Sequence, residues 1–188
     1  GEMDLFLFNQ GNHFEIFKKM GAVYRIIDNI EGYNFSVWAP NAKRVSTVGD
    51  FNNWDGRIHQ MRVLGNSGIW EIFIPEVGCG SLYKYEILTG QNQILLKSDP
   101  YGAYFEQRPK TASITWKSNY QWNDYEFISK KESEIHNLPL SIYEFYPGSW
   151  KRQKDGSFPN WREITFQVID YIKDLGFNCI ELLPVAEH

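Results

Sequence analysis

The spacing of apolar positions changes period along this chain. Between Asn12 and Met20 the side chains of Phe14, Phe17 and Met20 recur every third residue. That spacing predicts a helix or helical turn carrying all three on one face and stopping at Gly21. From Val23 the period falls to two. The runs at 24–27, 33–38, 45–48, 70–74, 83–88, 94–97 and 112–116 alternate apolar with polar residues and end at Gly, Pro or Asn-Asp punctuation. Strands so short, roughly 8–12 residues apart, predict an antiparallel Ig-like β-sandwich. The reading is therefore an N-terminal helical segment over residues 1–22 and a mostly β domain over 23–116.

Residues 117–139 are polar and mixed, which predicts a linker with a short helix, closed by Leu138-Pro139. Beyond it the pattern changes again. Residues 141–146 read as a strand broken by Pro147-Gly148. Trp161, Ile164, Thr165, Val168, Ile172 and Leu175 then follow at three- and four-residue steps. Asn160 with Glu163 three positions on forms a capping-box arrangement, and Gly176 stands where a helix C-terminus takes a left-handed residue. Residues 179–183 make a second apolar strand. Strand, crossover helix and strand give a right-handed βαβ unit with parallel strands over 140–188. One such unit closes no barrel, so this part is expected to be the front of a larger fold.

Charge and composition narrow the chemistry. With 19 basic and 23 acidic side chains the net charge is -4, so a nucleic-acid or anionic-membrane partner is not expected. No apolar run approaches the ~20 residues that span a bilayer. Cys79 and Cys179 lack metal-ligand spacing and read as buried thiols in a reducing cytoplasm; neither a metal nor a cofactor is implied. Aromatic residues make up 16% of the chain, seven of them Trp, more than charge or chemistry requires and enough to fill a sandwich core.

Several blocks together carry a family resemblance. Phe35-Ser36-Val37-Trp38-Ala39-Pro40-Asn41-Ala42 and Val48-Gly49-Asp50-Phe51-Asn52-Asn53-Trp54-Asp55-Gly56 resemble the N-terminal carbohydrate-binding module of glycogen branching enzymes. Tyr83-Lys84-Tyr85, Lys97-Ser98-Asp99-Pro100-Tyr101, Gly148-Ser149-Trp150 and the ending Glu181-Leu182-Leu183-Pro184-Val185-Ala186-Glu187-His188 continue the match. The resemblance implies that residues 140–188 open an α-amylase-type (β/α)8 barrel, whose remainder would be a further partner of this piece. It also implies cleavage of an α-1,4-glucan and transfer of the released piece to a 6-hydroxyl with retention. In such enzymes the catalytic carboxylates lie on later strands, so no catalytic residue is assigned here. Relatives usually place a histidine two residues before the glycine of the Gly148-Ser149-Trp150 block, where this chain has Tyr146-Pro147.

Retaining chemistry needs two carboxyl groups roughly 5–5.5 Å apart. Glu144, Glu181 and Glu187 are the acids on the barrel segment, and hydrogen bonding within the barrel wall is their expected role. Sugar binding asks for a flat exposed aromatic with donors around it. Trp54 follows a polar turn at the end of a strand, which places its ring near a loop, either exposed or packed under the turn. The resemblance makes Trp54 the stacking platform and Lys84 a cationic donor to sugar hydroxyls. The expected glucan-binding set is Trp54, Lys84, Trp38, Ala39, Pro40 and Asn52, for glycogen, amylose or maltooligosaccharides. The loop at Gly90 has no second tryptophan. Asp99-Pro100-Tyr101 is expected to end a strand and face the catalytic domain. A free-standing glycogen-binding regulatory module is the alternative, and an Ig-like interaction domain a third reading.

Overall fold

The period-two runs all form strands in the computed structural model, which describes residues 1–134 and 139–185. One sheet contains β1 (Gly21–Ile27), β2 (Ile30–Trp38), β4 (Arg62–Val63) and β5 (Ile69–Pro75), in the order β1-β2-β5-β4 with antiparallel neighbours. The second sheet runs from β3 (Ala42–Gly49) through β6 (Leu82–Thr89) to β9 (Ser113–Ile114) and β8 (Tyr104–Phe105). Strand β7 (Ile94–Lys97) also pairs with β6. At the β1–β2 hairpin Asp28 and Asn29 both take positive φ, 51° and 64°. That is the turn whose twist matches the strands it joins. Strands β4 and β8, two residues each, are too short to alternate and escape a pattern search.

The two sheets pack as a sandwich because alternate residues point inward. Tyr33, Phe35 and Val37 of β2 face Val45 of β3 and Tyr83 and Tyr85 of β6, all buried. The Phe35 and Tyr83 rings meet edge to face with centroids 5.0 Å apart, a favoured aromatic geometry. Between them sits a charge. Asp99 is 1% exposed, and its Oδ2 accepts the hydroxyls of Tyr83 at 2.7 Å and Tyr85 at 3.0 Å. The Tyr85 hydroxyl also reaches the Ser36 carbonyl on β2 at 3.3 Å. Oδ1 accepts the Tyr101 N–H, and the Ser113 hydroxyl accepts the Asp99 N–H. Burial pushes the Asp99 carboxyl above its ordinary range, and the donors from Tyr83, Tyr101 and Tyr85 pull the other way. Asp99 follows the end of β7 as expected, but its carboxylate serves the interior of the sandwich rather than a face toward a catalytic domain.

The N-terminus also differs from its reading. A helix, α1 (Glu2–Asn9), forms where no helical period was visible, and none of its residues is buried. The predicted helix at 12–20 is only a 3-10 turn, Ile16–Lys18. Phe14 and Phe17 are exposed while Met20 is buried against the start of β1, so the three do not share a face. Cys79 is exposed in the Gly78-Cys79-Gly80 turn and Cys179 is half-buried, which corrects their reading as core thiols.

Residues 121–188 form a separate unit. Helix α2 (Tyr125–Glu134) occupies the predicted linker. Strands β10 (Ile142–Phe145) and β11 (Cys179–Leu182) are parallel, and α4 (Trp161–Asp174) connects them. The short helix α3 (Pro147–Trp150) lies between β10 and α4. The capping box at α4 is formed. Asn160 Oδ1 accepts the Glu163 N–H at 3.0 Å, and Glu163 Oε2 accepts the Asn160 N–H at 2.8 Å. Ile164, Val168 and Ile172, one stripe of α4, pack with Phe145 into the core of this unit. The Asn178 side chain fastens the two strands, accepting the Ser141 N–H and donating to the Pro139 carbonyl, both at 2.8 Å. No helix among the described residues is long and apolar enough to cross a membrane.

Replacing Asp99 by Ala removes the acceptor of the buried Tyr83 hydroxyl and of the Tyr101 N–H, and leaves the Tyr85 hydroxyl only its longer bond to the Ser36 carbonyl. At roughly 1–3 kcal/mol for each buried group left unsatisfied, we expect a loss of about 3 kcal/mol or more. Thermal unfolding followed by circular dichroism checks this: a fall of roughly 10 °C is expected, and an unchanged melting temperature would refute the role assigned to this carboxylate.

Candidate functional site

Strand β3 ends at Gly49, and the chain then makes a 3-10 turn at Asp50–Asn52. Asn52 holds this turn from inside. It is 4% exposed, and its Oδ1 accepts the Gly49 N–H. Its Nδ2 donates to the Thr47 carbonyl and to His59 Nδ1, all three bonds at 2.9 Å. The segment beyond folds back along the free edge of β3. The His59 carbonyl accepts the Thr47 N–H at 3.0 Å, and the Val45 carbonyl accepts the Met61 N–H at 2.9 Å. Asp55 closes the loop by accepting the backbone and guanidinium N–H groups of Arg57. Those bonds hold the Asp55 carboxyl down at about 2.

At the apex Asn53 and Trp54 have φ of 53° and 61°. Asparagine tolerates the left-handed region; tryptophan rarely enters it. The Trp54 N–H is tied to the Gly49 carbonyl at 2.9 Å, and the indole is 40% exposed. The turn thus forces a large ring outward in a conformation that costs about 1–2 kcal/mol. Backbone strain of this kind concentrates where a side chain must be presented.

Lys84 shares that side of the sheet. Tyr83 and Tyr85 point into the core, so Lys84 and Glu86 project outward. The Glu86 carboxylate lies under Gly56, where an added Cβ would stand 2.3 Å from Oε1. The turn bearing Trp54 therefore rests on the outer face of β6. Lys84 pairs across the ladder with Val48, near the end of β3 from which this turn departs. Its Nζ donates to Thr111 Oγ1 at 2.6 Å. Thr111 lies 27 positions away in sequence, and only the folded sheet brings it to the site.

The other expected residues divide. Asn52 lies at the site but is buried, with its amide bonded within the turn; it shapes the turn, a correction to its reading as a ligand contact. Trp38 ends β2, and Ala39 and Pro40 lead from it toward β3, at the far end of β3 from Trp54. Eight residues of strand put them roughly 20 Å away. There the Trp38 indole, 55% exposed, donates to the Ser67 carbonyl at 3.2 Å. The Ala39 N–H bonds the Gly68 carbonyl and the Ala39 carbonyl accepts Trp70 Nε1. Pro40 packs against Gly68 so closely that a side chain there would have no room, and the Gly68 φ of 74° favours glycine as well. The expected six-residue set is therefore not one site.

Glu144 and Glu181 stand directly opposite each other on β10 and β11, both exposed. Glu187 lies outside the described residues. Among the described residues no cluster of His, Cys, Asp and Glu has the makings of a metal site.

Residues 19–102 match carbohydrate-binding module 48, the isoamylase N-terminal domain. Across its whole length the chain is 50% identical to the 1,4-alpha-glucan branching enzyme GlgB of Thiobacillus denitrificans and 50% identical to that of Methylococcus capsulatus. It covers 26% of each, so it spans about a quarter of the length of these curated relatives. The catalytic module of the glycogen-degrading pneumococcal virulence factor SpuA shares the fold. It aligns with 90% of this chain and 27% of its own at a TM-score of 0.60 and 21% identity.

Two outcomes follow from the turn. Trp54→Gly removes the strain at φ 61°, so stability should hold or rise by about 1 kcal/mol while the exposed ring is lost. Chemical denaturation measures it, and a loss above about 1 kcal/mol would make the indole a core side chain. Burial lowers the His59 pKa, and the neutral ring is the form that accepts from Asn52. The unfolded chain, with its His near 6.5, takes up the proton first. Stability contributed by His59 is thus present above about pH 6.5 and lost as pH falls through the lower folded value. The stability difference between the parent and His59→Gln should shrink from pH 7.5 to pH 5; a constant difference would contradict this.

Proposed function

We propose that the sandwich holds an α-1,4-glucan on the Trp54–Lys84 face, a reading supported by the match of residues 19–102 to carbohydrate-binding module 48 and by the 50% identity of the whole chain to 1,4-alpha-glucan branching enzymes. The observation that carries this reading is the Trp54 indole, presented to solvent on a strained turn beside an outward lysine. A pyranose has an apolar C–H face and a rim of hydroxyls. The indole covers the face, Lys84 and Thr111 meet the rim, and the Asp50–Arg57 loop keeps the ring fixed. One stacked ring contributes ~1–2 kcal/mol, so a single such contact gives weak, readily reversible binding.

In the whole protein this face would keep substrate near a cytoplasmic (β/α)8 catalytic barrel. That barrel would cleave an α-1,4-glucan with retention and transfer the piece to a 6-hydroxyl, making a branch. Residues 140–188 supply its opening strand, helix and strand. A free-standing glycogen-binding module has no use for that βαβ unit, which favours the enzyme reading. The described acids of this unit, Glu144 and Glu181, are given no catalytic role.

Calorimetric titration of the 188-residue chain with maltoheptaose tests the proposal. Trp54→Ala should weaken binding roughly tenfold and Lys84→Ala roughly threefold, with melting temperatures preserved. Unchanged affinity in folded Trp54→Ala would overturn it.

A further inference from the structure

The outer face of the first sheet, on the opposite side of the sandwich from Trp54, carries a groove of its own. Directly paired residues of antiparallel strands project to the same side. Tyr33 and Phe35 of β2 point inward, so Asn34 points outward and its direct partner, Phe73 of β5, does the same. Glu71 is outward by the same alternation and pairs with Arg62 of β4. With Ile27 at the end of β1 and Gln60 beside β4, these side chains line a cleft of about 450 Å³, a size that takes small ligands. It crosses four strands, a length of three spacings or roughly 14 Å.

The floor of this groove is an aromatic ring laid down on a glycine. Phe73 pairs with Asn34, yet the tip of its ring reaches Gly32, where an added Cβ would stand 2.8 Å from Cζ. The half-buried ring therefore lies across β2 with one face toward the groove. Around it the polar groups are only partly used. Asn34 Nδ2 donates to Ser36 Oγ at 3.0 Å, and its Oδ1 has no partner among the described residues. Arg62 donates from Nε and Nη2 to a single oxygen of Glu71, Oε1, at 3.2 and 2.6 Å, which leaves Oε2 open. A flat ring edged by amide, guanidinium and carboxylate complements a pyranose. The ring takes the C–H face, and the rim takes hydroxyls, each able to donate and to accept. A docked protein segment would have to bring a donor to each open oxygen, whereas a sugar has one at nearly every carbon.

We propose that this groove is a second α-glucan site, separate from Trp54, with one sugar ring stacked on Phe73 and its hydroxyls bonded to Asn34, Arg62 and Glu71. The choice of an α-glucan rests on the reading of the Trp54 face, and the test separates the two. Maltotriose is titrated into the isotope-labelled 188-residue chain while backbone amide resonances are followed. The parent is compared with Trp54→Ala, Phe73→Leu and Arg62→Ala, each checked for an unchanged melting temperature. In Trp54→Ala the amides of Asn34, Glu71 and Phe73 should still titrate. Phe73→Leu should weaken that titration roughly fivefold and Arg62→Ala roughly threefold, with the response around Trp54 unaltered. If only the amides around Trp54 respond in the parent, or if both groove variants titrate as the parent does, the inference fails and the Trp54 reading stands. A groove that titrates while the amides around Trp54 stay still would overturn that reading and keep this one. Groove shifts that instead grow with protein concentration in the absence of sugar would assign the groove to a second copy of the chain and overturn the proposal.

Discussion

A buried carboxylate with two phenols holding it is the constraint on which the sandwich depends. Asp99 reaches the interior from the loop after β7, and its acceptors engage Tyr83 and Tyr85 on β6. Tyr85 in turn reaches β2 in the facing sheet. A charge so placed is unfavourable unless its lone pairs are filled, and here each oxygen has a donor. The phenols respond in kind: burial, then the adjacent Asp99 charge, pushes both well above the ordinary tyrosine range. The arrangement fixes the depth of β6, and with it the direction of every outward residue on that strand. Lys84 and Glu86 face solvent because their neighbours are pinned inward.

A second constraint acts at the end of β3. Asn52 has every amide group occupied within the turn, and that closure leaves Asn53 and Trp54 no choice but the left-handed region. Stability is given up locally to present one ring. The cost is supported by the return segment, which covers the edge of β3 that would otherwise invite another strand.

Much of this was legible in the sequence. The period-two runs mark the long strands, and the spacing of Asn160 and Glu163 marks the start of α4. Trp54 was marked by the polar turn that precedes it. What stayed hidden depends on partners distant in the chain. Asn52 sits in a polar run and reads as a surface ligand; burial beneath the turn makes it a scaffold residue. Trp38, Ala39 and Pro40 look close to Trp54 in sequence, yet a full-length strand separates them. Thr111 joins the face only through the folded chain, where the Lys84 ammonium donates to it, and no local pattern reports that. Helix α1 has apolar residues without a helical period and buries none of them, so periodicity had nothing to detect.

The stiffness of the Asp50–Arg57 loop has a kinetic side. A ring already locked in place needs no ordering when a sugar arrives, so encounter is followed by little rearrangement. The weak bond that results breaks quickly. On a polymer with thousands of equivalent rings the next partner is already within reach, and release becomes a short hop rather than departure. On the proposed reading of Trp54, such a platform trades grip for mobility: the contact is weak and passes readily from one sugar ring to the next.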